Sequence, residues 1–167
     1  MRIIGIDPGL NRTGFGIVDY ENQTVKLQKY GCISPKSDLE FQNKIIFICE
    51  ELKYIIKNNH PEIAVVEDIF YAVNPRSALK LGHVRGAILV TVANIGLRFE
   101  ELTPLEVKKG ITGYGRADKD QVGEMVKVIL GLKSVPIPDD SSDALAVAIA
   151  YAFKSDFITK INSVEGG

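Results

Sequence analysis

The chain has 167 residues, of which 20 are Lys or Arg and 21 are Asp or Glu, giving a formal net charge of −1. Hydrophobic residues make up 46% and charged residues 25%, so the composition excludes a disordered chain, a collagen-like repeat and a disulfide scaffold. This length suits one domain with a substantial core. The near-zero charge counts against a nucleic-acid partner, because domains that bind nucleic acid usually carry a basic excess.

The sequence predicts neither a membrane span nor an export signal. The first apolar run ends at Asp7, and the longest, residues 144–153, falls well short of the ~20 residues that cross a bilayer. Cys32 and Cys49 lack metal-ligand spacing, and we expect buried free thiols rather than a disulfide. We therefore expect a cytoplasmic protein with no membrane partner.

Three short strands open the chain. Residues 2–7 form an apolar run closed by the turn signal Pro8-Gly9, and residues 13–20 and 24–33 follow, separated by a turn at 21–23. No helix fits between these strands, so we predict an antiparallel meander. Apolar residues at three- and four-residue spacing then predict a helix over 39–59, and residues 63–66 predict a buried strand that ends at Glu67.

The second half of the chain contains more helix and one more strand. We predict a helix over 77–94, a strand over 97–103, a short helical turn from Pro104 and a flexible loop rich in glycine. A third helix follows over 122–130 and a last helix over 140–153. The order β-β-β-α-β-α-β-α-α indicates one α/β domain over 1–155 with a mixed sheet, followed by a polar tail over 156–167.

Four acidic residues stand where an α/β sheet usually places its chemistry. Asp7 ends the first strand and Glu67 the fourth, and the carboxyl ends of adjacent parallel strands border a ligand-binding crevice. Asp140 and Asp143 open the last helix three residues apart, so both can lie on one face. Each also has a structural explanation: an Asx turn for Asp7, a solvated strand end for Glu67, and helix capping for the other two.

Taken together, these carboxylates favour a metal site. Asp143 precedes a strongly apolar helix, and a carboxylate held against that core beside other acids needs a neutralising cation. Clustered oxygen ligands without His or Cys select Mg²⁺ or Mn²⁺ over zinc. Two such ions about 4 Å apart would activate a water and stabilise the leaving oxygen of a phosphodiester.

Five motifs follow one another between residue 1 and about residue 152. They are Gly5-Ile6-Asp7-Pro8-Gly9, Thr13-Gly14-Phe15-Gly16, Val66-Glu67-Asp68-Ile69-Phe70, Asn74 with Ser77-Ala78-Leu79-Lys80-Leu81-Gly82 and Arg85-Gly86, and Asp140-Ser141-Ser142-Asp143-Ala144-Leu145-Ala146. In this order they resemble the motifs of the RuvC-type Holliday junction resolvases. The resemblance covers nearly the whole chain, and five motifs in register are far more specific than one.

The resemblance implies a ribonuclease H-like fold, with a mixed five-stranded sheet and helices on both faces, and a homodimer. It implies a Mg²⁺-dependent endonuclease that cuts four-way DNA junctions in recombination and repair, leaving 5′-phosphate and 3′-hydroxyl ends. Asp7, Glu67, Asp140 and Asp143 become the metal-binding catalytic acids, holding two Mg²⁺ ions that Mn²⁺ can replace. Asp139 is a neighbour outside the pattern, and we prefer Asp140 because its three-residue step to Asp143 is the family spacing. The RuvA–RuvB branch-migration complex is the implied partner.

The resemblance also selects residues that contact DNA. Lys108 and Lys119 would touch the scissile or an adjacent phosphate, with Lys119 also catalytic, although solvated surface lysines are the alternative explanation. Phe70 would stack at the junction, where base stacking is worth about 1–3 kcal/mol, and packing beneath its loop is the alternative. Arg76 and Lys80 complete the predicted DNA contacts.

Three other functions are less favoured. The opening motif also resembles the first phosphate loop of actin-like ATPases and sugar kinases, but a chain of this length leaves no room for their second domain. A YqgF-type nuclease that acts on RNA is a nearer alternative, which the run from Phe70 to Gly86 disfavours. A binding module without activity would not need four acids.

Charge is unevenly distributed along the chain. Residues 1–75 hold 8 basic and 10 acidic residues, residues 76–119 hold 8 and 4, and residues 120–167 hold 4 and 7. The excess of +4 falls on the stretch that carries most of the predicted DNA contacts, and two bound divalent ions would move the chain from −1 to +3. The net charge near zero therefore does not exclude DNA as a binding partner.

Overall fold

Five strands form a single sheet in the computed structural model, which describes residues 1–68, 74–132 and 135–165, with side chains as far as residue 158. The strands are β1 (Arg2–Asp7), β2 (Thr13–Glu21), β3 (Thr24–Ile33), β4 (Ile63–Glu67) and β5 (Arg98–Leu102). Their order in the sheet is β3-β2-β1-β4-β5. Since β1 pairs antiparallel with β2 and parallel with β4, the sheet is mixed, as predicted.

A two-residue turn joins β2 to β3. Asn22 and Gln23 both have positive φ, at 50° and 61°, which is the backbone of the type I′ turn that matches the right-handed twist of paired strands. Glu21 and Thr24 pair across this turn. The hairpin therefore extends β2 one residue beyond its predicted end.

The parallel half of the sheet brings the ends of β1 and β4 together. Helix α1 (Phe41–Asn59) makes the connection from β3 to β4. Ile3 then pairs with Ile63, and Ile6 with Val66. The two strands consequently end at the same edge of the sheet.

Helices cover both faces of the sheet, as predicted. The remaining helices are α2 (Pro75–Ile95), α3 (Pro104–Thr112), α4 (Lys119–Ile129) and α5 (Asp139–Glu165). On one face, α1 and α2 pack against buried strand residues that include Ile4, Ile6 and Ile17. On the other face, α3, α4 and α5 pack against a second set that includes Ile3, Val18 and Val65.

Glycines in β1 and β2 let α5 lie directly on the sheet. A Cβ added to Gly5 would lie 2.0 Å from the carbonyl oxygen of Ala144, and one added to Gly14 would lie 1.9 Å from that of Asp140. Any side chain at either position would push the helix away. These glycines therefore fix the start of α5 against the strands.

Two helices are longer than the sequence predicts. The turn predicted at Pro104 is the full helix α3, in which Thr103 and Glu106 form a reciprocal capping box. Helix α5 continues from Asp139 to Glu165, past its predicted end at 153 and through most of the predicted polar tail. The predicted order therefore lacks one helix, and the prediction that the last helix ends at residue 153 is wrong.

The cysteine prediction is wrong about burial. Cys32 and Cys49 are both free, but each is only partly buried. Cys32 lies near the end of β3, where the strand meets the start of α5.

Helix α2 leaves an apolar face uncovered. It spans 21 residues and is long and apolar enough to cross a membrane by length and composition alone, a test that helices of soluble proteins also pass. Only 22% of its most apolar window is buried. The side chains of Leu79 and Val90 are 67% and 60% exposed, so this helix has surface available for a partner.

Candidate active site

Asp7 and Glu67 lie side by side at the carboxyl edge of the sheet. Ile6 and Val66 are partners in the parallel ladder, and each acid is the next residue of its strand. Both acids are partly buried. The strand pairing alone therefore juxtaposes two of the four predicted site residues.

The start of α5 brings Asp140 and Asp143 to the same edge. Gly14 of β2 is the ladder partner of Asp7, and the backbone of Asp140 packs directly on Gly14. Asp143 follows within the same helix, with its side chain 33% exposed. Three separate segments of the chain therefore bring the four predicted acids together.

Burial and the charges of neighbouring acids change the ionisation of the two strand acids. Burial raises the pKa of Asp7 to about 7, with further contributions from the charges of Asp143, Glu67 and Asp140. Burial and the charge of Asp143 also raise the pKa of Glu67. The positive charge near the two strand acids does not offset these effects, and a bound cation would do so.

Two internal cations partly compensate the acids of α5. Lys119 Nζ lies 2.9 Å from Asp143 Oδ2 and 3.9 Å from Asp139 Oδ2. The hydrogen bond to Asp143 raises the pKa of Lys119. Arg12 Nε lies 2.7 Å from Asp140 Oδ2. Asp139, which lies outside the family pattern, is 85% exposed.

A cleft of about 190 Å³ opens beside the acids. Its polar lining residues are Glu67, Lys108, Lys119 and Asp143. Lys108 and Lys119 both lower the pKa of Glu67 through their charges, which opposes the effect of burial. The two lysines predicted to contact phosphate are therefore next to the acids.

The donor chemistry of the site fits a hard divalent cation. All four acids offer carboxylate oxygens, which Mg²⁺ and Mn²⁺ prefer. Within the described ranges, however, no three acidic, His or Cys side chains converge at ligand spacing. Lys119 and Arg12 hold the two α5 carboxylates instead, so metal binding would require these side chains to rotate.

The remaining predicted DNA contacts lie around the start of α2. Asn74 caps this helix by accepting a hydrogen bond from the backbone N–H of Arg76. Arg76 and Lys80 are exposed on the first two turns. Phe70 falls within residues 69–73, outside the described residues, so the structure says nothing of its predicted stacking role.

Sequence reasoning assigned no role to two arginines that pair with acidic residues. Arg12 comes from the β1–β2 loop and reaches Asp140. Arg85 of α2 contacts Asp68, at 3.1 Å, and Glu101, and its Nε is buried without a partner among the described residues. The Arg85-Gly86 motif could have singled out Arg85 from the sequence. Nothing in the sequence pattern, in contrast, predicts a contact between Arg12 and Asp140.

Comparison with known proteins identifies the family. The model of the family described as crossover junction endodeoxyribonuclease RuvC matches residues 3–151. The RuvC of Alkaliphilus oremlandii is 44% identical over 157 residues, which cover 94% of this chain and 96% of the relative. The RuvC of Finegoldia magna is 41% identical over the same length and with the same coverage.

Solved structures agree with this result. Thermus thermophilus RuvC matches with a TM-score of 0.86 at 31% identity, covering 94% of this chain and 96% of the other. The same protein in complex with Holliday junction substrate matches with a TM-score of 0.88, covering 95% and 97%. These matches confirm the predicted ribonuclease H-like fold. From the family model, the relatives and the shared fold, we conclude that the chain belongs to the crossover junction endodeoxyribonuclease RuvC family.

Proposed function

We propose that this chain resolves four-way (Holliday) DNA junctions by two symmetric, metal-dependent phosphodiester cuts, in DNA recombination and repair. Family membership supplies the reaction and the substrate class. The observation that carries the chemistry is that three segments place four acids at one edge of the sheet. Burial there, followed by the charges of Asp143, Glu67 and Asp140, raises the pKa of Asp7 to about 7.

Asp7, Glu67, Asp140 and Asp143 are our proposed ligands for two Mg²⁺ ions, which Mn²⁺ can replace. The raised pKa of Asp7 supports this assignment, because a cation between the acids removes the repulsion that contributes to it. Bound ions of this kind supply a more acidic attacking water and offset the charge that develops on the leaving oxygen.

Lys119 and Lys108 position the scissile phosphate in this proposal. Both line the cleft that contains Glu67 and Asp143. A phosphodiester that enters the cleft offers anionic oxygens to both ammonium groups, and Lys119 moves its hydrogen bond from Asp143 to the phosphate. Attack in line with the 3′-oxygen leaves a 5′-phosphate and a 3′-hydroxyl, so the products can be ligated.

A homodimer formed through α2 would present two such sites to one junction. The apolar side chains of Leu79 and Val90 are exposed on this helix, and a second copy of α2 would cover them. Gly82 and Gly86 have nothing within 4 Å of an added Cβ, so a second helix can approach closely there. Arg76 and Lys80 near the start of the same helix would then contact DNA, with Phe70 stacking at the crossover.

Three further assignments follow from the family. We propose that residues 1–155 act as one nuclease domain and that the protein works in the cytoplasm. Its proposed partner is the RuvA–RuvB branch-migration complex, which would move the junction while this protein cuts it.

Substrate choice tests the proposal. The experiment compares cleavage of a synthetic four-way junction, a linear duplex of the same sequence and an RNA–DNA hybrid, each with and without Mg²⁺. We expect paired, symmetric nicks in the junction alone, and only with Mg²⁺. Preferential cleavage of the hybrid would favour the alternative of an RNA-directed nuclease, and binding without cleavage under any metal would favour a binding module.

A further inference from the structure

Arg12 holds one of the four acids in place through a small cluster of polar groups. Its Nε lies 2.7 Å from Asp140 Oδ2, and one terminal nitrogen donates to Cys32 Sγ at 3.5 Å. Cys32 Sγ lies 3.2 Å from Ser141 Oγ and 3.9 Å from Asp140 Oδ2. The carboxylate of Asp140 is thereby held toward Cys32, near the end of β3.

The strand acids and the helix acids differ in their partners. Asp143 pairs with Lys119 and Asp140 with Arg12. Within the described parts of the chain, Asp7 and Glu67 form no ion pair, and no three acids converge at ligand spacing. The internal cations thus occupy the two acids that must turn toward Asp7 and Glu67 for a metal to be bound.

We propose that Arg12 competes with the metal for Asp140. In the metal-free protein it holds Asp140 toward β3, and it releases this carboxylate as the site loads. Arg12 is therefore a positioning residue that sets the metal concentration at which the site fills. This inference rests on the proposed function, because it assumes that Asp140 is a metal ligand.

Arg12 acts on metal affinity in two opposite ways, and their sizes decide the sign. By binding Oδ2 it restricts the rotation of the Asp140 carboxylate and leaves Oδ1 available, which favours a metal ligand. The side chains of this pair are 53% and 30% exposed, so the restriction is weak. The guanidinium charge, in contrast, repels a doubly charged ion and competes for the same carboxylate. The competition is the larger effect, so Arg12 lowers the affinity for the metal ion by about fivefold for a pair of this exposure.

Calorimetric titration of the metal-free, full-length chain with Mn²⁺, in the absence of DNA, tests this competition. We expect Arg12→Gln to bind Mn²⁺ about fivefold more tightly than the parent. Arg12→Lys keeps the charge and should stay closer to the parent. Arg98→Gln is the matched control, because Arg98 lies in an exposed pair with Glu100 on β5 and should leave the affinity unchanged.

The Asp140→Asn background separates competition from a general effect of charge or folding. In that background, Arg12→Gln should change the affinity much less, because the contested carboxylate is absent and only the repulsion between the guanidinium and the ion remains. If the parent binds Mn²⁺ normally and Arg12→Gln binds it equally or more weakly, the proposed competition is overturned. The proposed metal site is not affected by that result. A parent chain that binds no Mn²⁺ overturns the metal site itself and this inference with it.

Discussion

At the residue scale, the ionised carboxylate of Asp7 destabilises the metal-free protein. Burial, followed by the charges of Asp143, Glu67 and Asp140, raises its pKa from 3.8 to about 7. Between these two values the folded state keeps a proton that the unfolded state has released. Stability therefore falls as the pH rises through this window, and the loss is complete above the folded-state pKa.

Asp7→Asn should therefore stabilise the metal-free protein while removing a metal ligand. We expect a gain of roughly 2 kcal/mol at pH 8 and almost none at pH 4, where the folded parent is already protonated at this residue. Urea unfolding in the presence of a chelator at both pH values measures the difference. An equal gain at both pH values would show that the effect is not electrostatic.

Two adjacent lysines on α3 allow the proposed phosphate contact to be tested, one as the variant and the other as its matched control. Lys108 lines the cleft with Glu67, whereas Lys109 lines a separate apolar groove beside Phe153 and Phe157. We expect Lys108→Ala to slow junction cleavage at least about tenfold, because it removes a cation beside the reacting phosphate. Lys109→Ala should stay within about twofold of the parent. Single-turnover cleavage rates decide, and equal losses in both variants would argue against a specific role for Lys108.

The positions of the four acids could be predicted, but their present partners could not. Strand period and parallel pairing place Asp7 and Glu67 at one edge of the sheet, and helical spacing places Asp140 beside Asp143. The ion pair between Arg12 and Asp140 joins residues far apart in sequence. It depends on where a long loop side chain reaches, which no local pattern encodes.

At the element scale, apolar periodicity predicted the strands and most of the helices, and failed for α3 and for the second half of α5. The second half of α5 has no continuous apolar run, but it also contains no Gly or Pro before residue 166. A helix with a firmly packed first half continues through such residues at little cost. Helix α3 was underestimated because Gly110, which packs closely against Ala150, resembles a loop residue in the sequence.

The uncovered face of α2 gives the dimer proposal a direct test. Gly82→Trp puts a large side chain where nothing lies within 4 Å of an added Cβ, so the chain should still fold. It should block the approach of a second helix, and light scattering should report a monomer where the parent is a dimer. Lys57→Trp on the last turn of α1 is the control. A dimeric Gly82→Trp variant would place the interface elsewhere.

At the scale of the whole molecule, the net charge of −1 is the sum of acidic and basic charges that lie in different parts of the sequence. The proposed site concentrates acidic charge at the edge of the sheet, while residues 76–119 carry 8 basic and 4 acidic residues. In the proposed function, a polyanion contacts the basic side chains of this segment and the acids hold cations, with Lys108 and Lys119 lying in the cleft beside the acids. The near-zero net charge is the sum of these acidic and basic contributions.

Junction binding should accordingly depend steeply on salt. Arg76, Lys80, Lys108 and Lys119 give four proposed phosphate contacts per chain, so a dimer that uses half to all of them should show a slope of log K against log salt between about −4 and −7. Fluorescence anisotropy with a labelled junction in a chelating buffer measures this slope without cleavage. A slope near zero would mean that binding does not depend on phosphate contacts.

The proposed activity depends on the acids forming one metal-dependent site. The most direct test compares the parent, Asp7→Asn and Asp19→Asn on a synthetic four-way junction with Mg²⁺, with junction affinity measured in parallel. Asp19 pairs with Arg2, near the opposite end of β1 from Asp7, so its variant controls for the loss of an acid. We predict that the parent and Asp19→Asn make paired nicks, while Asp7→Asn binds normally and cleaves at least about 1,000-fold more slowly. Cleavage by Asp7→Asn at nearly the parental rate would contradict the account.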